Sequence, residues 1–361
     1  MDRRRRRVTP ELGIIEGYFG RCWTHEERRD VVSRLAPAGY RFFHYAPKID
    51  TFLRRDWQQA HDAIATEALT RLSSHCRALD VRFGVGLTPF GAHLNFDTET
   101  RAALKVKLTA LDALGLDDLA ILFDDMRGDV PDLAQRQAEI IAFCIDHCQA
   151  GRFYACPSYY SDDPVLDRVF GARPASYLED VGRLIDPAIQ IYWTGEEVCS
   201  AEIRPGHLRD VAERLGRKVC LWDNYPVNDG PQMSQYLHLR GFSGRGCGIA
   251  PWITGHAINP ASQPVLGCIP ALTLAAAYAQ GDDYAYGRAF MEAAVSVVGT
   301  ELATLLRADL TTFQNRGLDR IGDRIEKLRS RYAAFDHPAA REVIDWLNGG
   351  YAITGEMLQT Q

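Results

Sequence analysis

The chain of 361 residues has no cysteines at CxxC spacing and no Cys/His cluster arranged to hold zinc. Its nine cysteines are scattered at positions 22, 76, 144, 148, 156, 199, 220, 247 and 268. Cys144, His147 and Cys148 stand together in IIAFCIDHCQ, but on one helical stretch with no second pair of ligands, so no metal is expected. An odd, scattered set of cysteines with no export signal points to free thiols and a cytoplasmic location. No GxGxxG turn follows the first strand-like segment, which counts against a dinucleotide-binding fold. An excess of positive charge is also missing. The formal net charge is −6, which argues against a broad nucleic-acid surface. No run of about 18 apolar residues is apparent, so neither a transmembrane helix nor a membrane partner is expected. The five arginines Arg3–Arg7 lack the apolar core of an export signal, since Thr9-Pro10-Glu11 leads straight into Gly-Ile-Ile-Glu-Gly. Residues 1–10 therefore read as a disordered basic tail, with contact to a polyanion as the alternative.

What is present is the profile of a globular protein with a large core: 46% hydrophobic, 24% charged and 10% aromatic residues. Short β-branched or aromatic runs alternate with longer amphipathic stretches. The candidate strands are 13–17, 40–47, 81–89, 119–125, 152–158, 188–195, 218–224 and 247–254, with helical spacing between most of them. Strand–helix alternation calls for a parallel sheet covered by helices. Eight such units favour an α/β fold of the closed (β/α)8 TIM-barrel type over an open, doubly wound sheet. The barrel is expected over residues 11–280. Residues 281–361 carry helical periodicity alone and read as a C-terminal helical appendage docked beside it.

In such a barrel the chemistry belongs at the C-terminal ends of the strands. The polar residues there are Glu16-Gly17-Tyr18-Phe19, Lys48 with Asp50, Asp124-Asp125, Ser158-Tyr159-Tyr160 and Asp223-Asn224 through Asp229. Carboxylates, amides, one lysine and aromatics at one mouth are the inventory of a carbohydrate site. Asp124-Asp125 is the sharpest feature. Like charges raise the pKa of one member of such a pair, and a carboxyl protonated near neutrality serves as a general acid. Successive strand residues face opposite ways, so both reach one ligand only where the pleat ends between them. An Asp pair capping the next turn, or one solvated member, is the alternative.

The segments EGYFGRCW, YAPKID, ILFDDM, CPSYY, YWTGEEV and LWDNYPVND occur in one order along residues 11–275. In this the sequence resembles glycoside hydrolase family 84, the β-N-acetylglucosaminidases that include protein O-GlcNAcases and some enzymes named hyaluronidases. The resemblance implies a retaining exo-hydrolase in which the substrate's own acetamido oxygen attacks the anomeric carbon to give an oxazoline. Asp124 matches the family residue that holds the acetamido N–H, and Asp125 matches the general acid/base. Gly17 matches a glycine approached by the sugar, Lys48 a lysine donating to the sugar and acetamido region, and Tyr160 a tyrosine near the acetamido pocket. Trp222 matches part of the wall around the N-acetyl methyl, and Val198 a position on the aglycone side. Asn224, Asp229 and Asn259 match polar contacts to the sugar, Asp229 serving the O4 and O6 hydroxyls. Trp23, Trp193 and Trp252 are read as barrel core.

The sequence departs from the family pattern in the order Tyr18-Phe19, in Cys22 for a proline, and in Ile49 for a second acidic residue. His61 lacks the family's arginine-rich continuation, and Thr88-Pro89-Phe90 stands for Ser-Pro-Gly. These changes leave the aglycone open: a protein, an oligosaccharide or a cell-wall fragment. The expected partner is a GlcNAc-containing glycoside or glycoprotein, with no cofactor and no defined oligomeric state. The rival readings are a catalytically silent GlcNAc-binding protein and a hydrolase of another N-acetylated sugar, such as a galacto-configured one.

Overall fold

A computed structural model describes residues 9–355. The basic tail read from residues 1–10 thus lies outside the described residues except for Thr9 and Pro10. The strands are β1 (Glu11–Glu16), β2 (Tyr40–Tyr45), β3 (Arg82–Leu87), β4 (Asp118–Leu122), β5 (Arg152–Cys156), β6 (Gln190–Trp193), β7 (Val219–Asp223) and β8 (Ile253–Ile258). Each pairs in parallel with the next, and β8 returns to β1, closing a barrel. Such strands are covered on both faces and so read as nearly continuous apolar runs, as in LAIL and VCLW. Gly13 follows a register shift between β1 and β2, where a Cβ would stand 2.2 Å from the Phe42 ring.

The outer layer is built from α1 (His25–Leu35), α2 (Ala63–Ala78), α3 (Thr98–Asp112), α4 (Leu133–His147), α5 (Pro164–Phe170), α6 (Tyr177–Leu184), α7 (Pro205–Leu215) and α8 (Pro264–Gln280). Local chemistry starts several of them. Thr24 and Glu27 form a reciprocal capping box on α1, and Asp62 and Asp97 accept the N–H groups of Ala65 and Thr100 at the starts of α2 and α3. The apolar stripe Val31, Val32 and Leu35 turns α1 onto the barrel. Helix α8 and its continuation to Asp283 are long and apolar enough to cross a membrane, contrary to the reading of the sequence. Two-thirds of that span is buried, and α1, α9 (Tyr286–Val298) and α12 (Pro338–Leu347) pack against α8, as befits a core helix.

One strand differs from expectation. Cys247–Trp252 forms a tight helical turn containing Pro251, and β8 begins only at Ile253. Proline has no N–H for the sheet ladder, so the pairing begins beyond it. ITGHAI was missed because Gly255 and His256 break the apolar run, yet His256 is fully buried against Asp223 and Tyr278.

The barrel interior is polar in layers contributed by alternate strands. His44 of β2 shares hydrogen bonds with Asp118 of β4 (3.0 Å) and the Tyr192 hydroxyl of β6 (2.7 Å). Arg82 of β3 links Asp118 to Glu11 of β1. Nearer the mouth, Asp223 accepts two 2.7 Å bonds from Arg245 and lies 2.9 Å from His256 Nε2. Burial alone would raise the Asp223 carboxyl, but Arg245 and His256 hold it at about 2.

Between β7 and β8 the described residues contain only short helical turns, where the other strand connections carry α-helices. The C-terminal region adds α10 (Thr300–Thr311) and α11 (Arg324–Tyr332) to α9 and α12, and α12 and the turn between α10 and α11 bond this connection. Trp346 Nε1 donates to the Ser234 carbonyl, and Gln314 Oε1 accepts the N–H groups of Leu239 and Arg240. Glu342 of α12 accepts the N–H groups of Val265 and Leu266, capping the otherwise uncapped start of α8.

Replacing Arg245 with Met leaves Asp223 buried without its guanidinium partner. We expect Arg245→Met to lower unfolding free energy at pH 7 by about 3–5 kcal/mol, as read from denaturant midpoints. A loss below about 1 kcal/mol would mean that His256 alone compensates the charge.

Candidate active site

The C-terminal mouth of the barrel opens into a cavity of about 250 Å³. Its walls include Gly17, Asp124, Asp125, Tyr160, Val198, Trp222, Asn224, Asp229 and Asn259. Nine of the ten residues singled out from the sequence thus converge here. The tenth, Lys48, reaches the site through Asp124.

Strand β4 ends at Leu122, and Asp124 and Asp125 occupy the turn beyond it. Asp125 adopts a left-handed backbone with φ 56°, a conformation that aspartate tolerates better than most residues. The strand alternation is therefore broken between the two, and both carboxyls face the same cavity. The Lys48 ammonium bonds Asp124 Oδ2 in a pair that is almost fully enclosed, with Lys48 3% and Asp124 5% exposed. Asp124 Oδ1 is buried and has no hydrogen-bond partner in the protein.

Asp125 accepts a 3.1 Å bond from the Tyr160 hydroxyl. Burial, and then the adjacent Asp124, raise its carboxyl above the usual carboxylate range, against the pull of Lys48, Arg54 and that hydroxyl. The neighbouring Tyr159 turns away, donating to the Gly171 carbonyl and packing edge-on against Tyr177. Trp222 forms an inner wall, its ring centroid 5.9 Å from Lys48 Nζ. A Cβ on Gly17 would stand 2.2 Å from Trp222 Cζ2, so the indole and a side chain at 17 exclude each other.

The amides form a connected chain. Gly17 N–H donates to Asn259 Oδ1 (3.2 Å), Asn259 Nδ2 to Asn224 Oδ1 (2.9 Å), and Asn224 Nδ2 to the Val198 carbonyl (2.8 Å). Trp222 Nε1 also donates to Asn224 Oδ1 (3.0 Å). Asn224 therefore ties β1, β6, β7 and β8 segments together and has one N–H left for a ligand. Asp229, in the β7–β8 connection, accepts the Phe19 N–H (3.0 Å). Burial pushes its carboxyl up to about 6 and Asp125 adds to the rise, while the Phe19 N–H and Lys48 oppose it.

Phe19, Cys156, Thr194, Cys199, Val227 and Gly230 also line the cavity and were not singled out from the sequence. All six lie within or next to the motifs quoted above. A motif orders residues along the chain but does not say which side chains turn inward. Trp23 and Trp193 are buried in the core, and Trp252 packs against it half-buried. Among the described residues no group of His, Cys, Asp or Glu is placed to hold a metal ion.

A closed eight-stranded parallel barrel whose mouth holds an enclosed carboxyl pair, an aromatic wall and a ring of amides is the architecture of a (β/α)8 glycoside hydrolase. A family model for beta-N-acetylglucosaminidase matches residues 12–313, and the chain belongs to that family, glycoside hydrolase family 84. Among curated proteins it is similar to the protein O-GlcNAcases of Mus musculus and Rattus norvegicus, 28% identical over 258 residues in each case. Those matches cover 69% of this chain and 28% of theirs, so the chain spans little more than a quarter of their length. Among solved structures it resembles a variant of the Thermobaculum terrenum O-GlcNAc hydrolase, with a TM-score of 0.78, 24% identity, and 94% of this chain and 81% of that one covered. It also resembles the structure of CpGH84B, with a TM-score of 0.72, 22% identity and coverage of 91% and 59%. At these identities the structural likenesses establish the fold.

The raised carboxyl of Asp229 has a stability consequence. The folded state holds that proton up to about pH 6, whereas an unfolded aspartate releases it near its ordinary value of 3.8. Stability is therefore lost as pH rises through this window, and the ionised form is the costly one. Asp229→Asn should raise unfolding free energy at pH 8 by on the order of 1 kcal/mol and leave it unchanged at pH 4. Denaturant titrations at the two pH values check this; equal effects at both would show that the carboxyl is not strained.

Proposed function

We propose that the protein is a retaining exo-β-N-acetylglucosaminidase that works by substrate-assisted catalysis and removes terminal GlcNAc, including GlcNAc linked to protein. The observation that carries this reading is the state of Asp124. One oxygen is held by Lys48, and the other is buried at the cavity wall with no donor from the protein. A buried carboxylate oxygen without a partner is costly, and an N–H supplied by a ligand at that point relieves it. The acetamido N–H of N-acetylglucosamine is such a donor.

The chemistry follows in two steps. The acetamido oxygen attacks the anomeric carbon, and the bond to the leaving oxygen breaks as Asp125 donates its proton to it. Asp124 holds the acetamido N–H as positive charge develops on the forming oxazoline. Asp125, now a carboxylate, takes a proton from water, which opens the oxazoline at the anomeric carbon with overall retention. The raised carboxyl of Asp125 suits the first step, since the acid must still carry its proton near neutrality. Holding the nucleophile within the substrate avoids the entropy of a bimolecular attack.

The amide chain Gly17–Asn259–Asn224 and the Asp229 carboxyl supply fixed polar partners for sugar hydroxyls, and Trp222 a wall for the acetamido methyl. Asp229 serves O4 and O6 in this reading, which favours the gluco over the galacto epimer and an exo over an endo mode. The names of the similar mouse, rat and bacterial proteins support protein-linked GlcNAc as a substrate. We place the activity in the cytoplasm, a reading supported by nine cysteines that are all free thiols.

The deciding experiment is hydrolysis of aryl β-N-acetylglucosaminides in the presence and absence of a thiazoline that mimics the oxazoline. Wild type should turn over and be inhibited, and Asp124→Ala should lose most activity with every aglycone. Asp125→Ala should lose about 10²–10⁴-fold with a poor leaving group and far less with an activated one. Thiazoline binding without turnover would instead favour a silent GlcNAc-binding protein, and equal losses across leaving groups would remove Asp125 from the acid role.

A further inference from the structure

Inward-facing residues alternate along a barrel strand, so the residue two places before a cavity wall lies in the layer beneath it. Tyr192 of β6 stands two residues before Thr194, which lines the cavity. Across the sheet it pairs with Cys220 of β7, two residues before Trp222, the proposed wall for the acetamido methyl. The Tyr192 ring is fully buried and meets the Trp222 indole edge-on, with centroids 5.4 Å apart. It therefore lies behind that wall and not in the cavity itself.

The ring is held where it stands. One neighbour is Tyr154 of β5, stacked on it at 5.3 Å with the planes 24° apart. Its hydroxyl lies 2.7 Å from His44 Nδ1, and His44 Nε2 lies 3.0 Å from the Asp118 carboxylate. A carboxylate only accepts, so Nε2 carries a proton, and Nδ1 of the neutral ring accepts from the Tyr192 hydroxyl. Arg82 donates to Asp118 through Nε (3.0 and 3.1 Å) and to Glu11 through both terminal nitrogens (2.6 and 2.9 Å). Tyr192 is thus tied through β2, β4 and β3 to β1. The indole is fixed as well: Trp222 Nε1 donates to Asn224 Oδ1 (3.0 Å), and a Cβ at Gly17 would stand 2.2 Å from Cζ2. Retreat of the indole away from the cavity runs against the Tyr192 ring.

We propose that Tyr192 is a specificity-determining residue that acts through Trp222: its tethered ring fixes the depth of the pocket beyond the acetamido carbonyl and so limits the length of the N-acyl chain the site accepts. This inference rests on the proposed hydrolase activity.

The test compares 4-methylumbelliferyl β-glycosides of N-acetyl- and N-butanoylglucosamine, which share a leaving group and an alkyl amide nucleophile and differ by two methylenes. Wild type should favour the N-acetyl substrate. Tyr192→Leu opens space behind the indole, and the ratio of kcat/KM for N-butanoyl over N-acetyl should rise about tenfold, the worth of two buried methylenes. Tyr192→Met, a flexible chain in place of the ring, should move the ratio in the same direction. Both rates come from one preparation, so any unfolded fraction cancels from the ratio. Tyr192→Phe keeps the ring and should keep the wild-type ratio, while its denaturant midpoint falls because His44 Nδ1 has lost its donor. A Tyr192 that only supported the fold would lower stability in all three variants and move the ratio in none. No preference in wild type, a ratio unmoved by Tyr192→Leu and Tyr192→Met, or a ratio moved as far by Tyr192→Phe would each overturn the role of the ring. Absence of N-acetyl turnover in wild type would overturn the hydrolase activity itself, and the acyl limit with it.

Discussion

Two carboxyls on consecutive residues, enclosed at the mouth of a barrel, repel one another strongly, and the Lys48 ammonium resolves the conflict by pairing with Asp124 and not Asp125. That choice makes two chemically identical side chains unequal. Asp124 has a counter-charge and one free oxygen, while Asp125 has a neighbouring negative charge, a tyrosine hydroxyl and a raised carboxyl. The proposed division of labour between a stabilising carboxylate and a proton donor rests on this asymmetry. It depends on β2 and β4 placing residues 76 positions apart in contact.

The surrounding framework serves to keep that pair dry and fixed. Beneath it, Asp223 is locked by Arg245 and His256, so the strand that carries Trp222 and leads into Asn224 is anchored from inside the barrel. To one side, the β7–β8 connection lacks a covering helix, and contacts from Trp346 of α12, from Gln314 and from Ile353 beyond α12 hold it instead. Asp229 sits in that connection, so the C-terminal helices bear indirectly on that end of the cavity. The site itself carries several destabilising features: a left-handed aspartate, an unpartnered buried oxygen, and a second carboxyl raised by burial. These are tolerable because the rest of the well-packed barrel supports them.

Local chemistry carried much of the architecture. The apolar runs announced seven of the eight strands to within a few residues, and their alternation with amphipathic stretches implied the barrel. The eighth was displaced because its polar His256 points into the interior, where Asp223 and Tyr278 satisfy it, and a hydropathy pattern cannot register a partner supplied by another strand. The apolar character of α8 was likewise misjudged by counting, and its packing against α1, α9 and α12 decides what kind of helix it is.

At the site, the order of motifs along the chain sufficed to name the residues that meet in the cavity, since every barrel strand delivers its C-terminal end to the same mouth. Direction and charge state were not legible in the residues themselves, and only the resemblance pointed to them. Tyr160 rather than Tyr159 faces inward, Gly17 is required by the Trp222 indole, and Asn224 serves mainly to tie neighbouring segments together. Which carboxyl its surroundings raise was not readable from the residues either, where the resemblance alone named Asp125 as the acid. The sequence by itself determined the elements and the cast of residues, because backbone propensity and strand polarity act over a few neighbours. Tertiary structure alone decided the electrostatics, because burial and ion pairing arise between residues that only folding brings together.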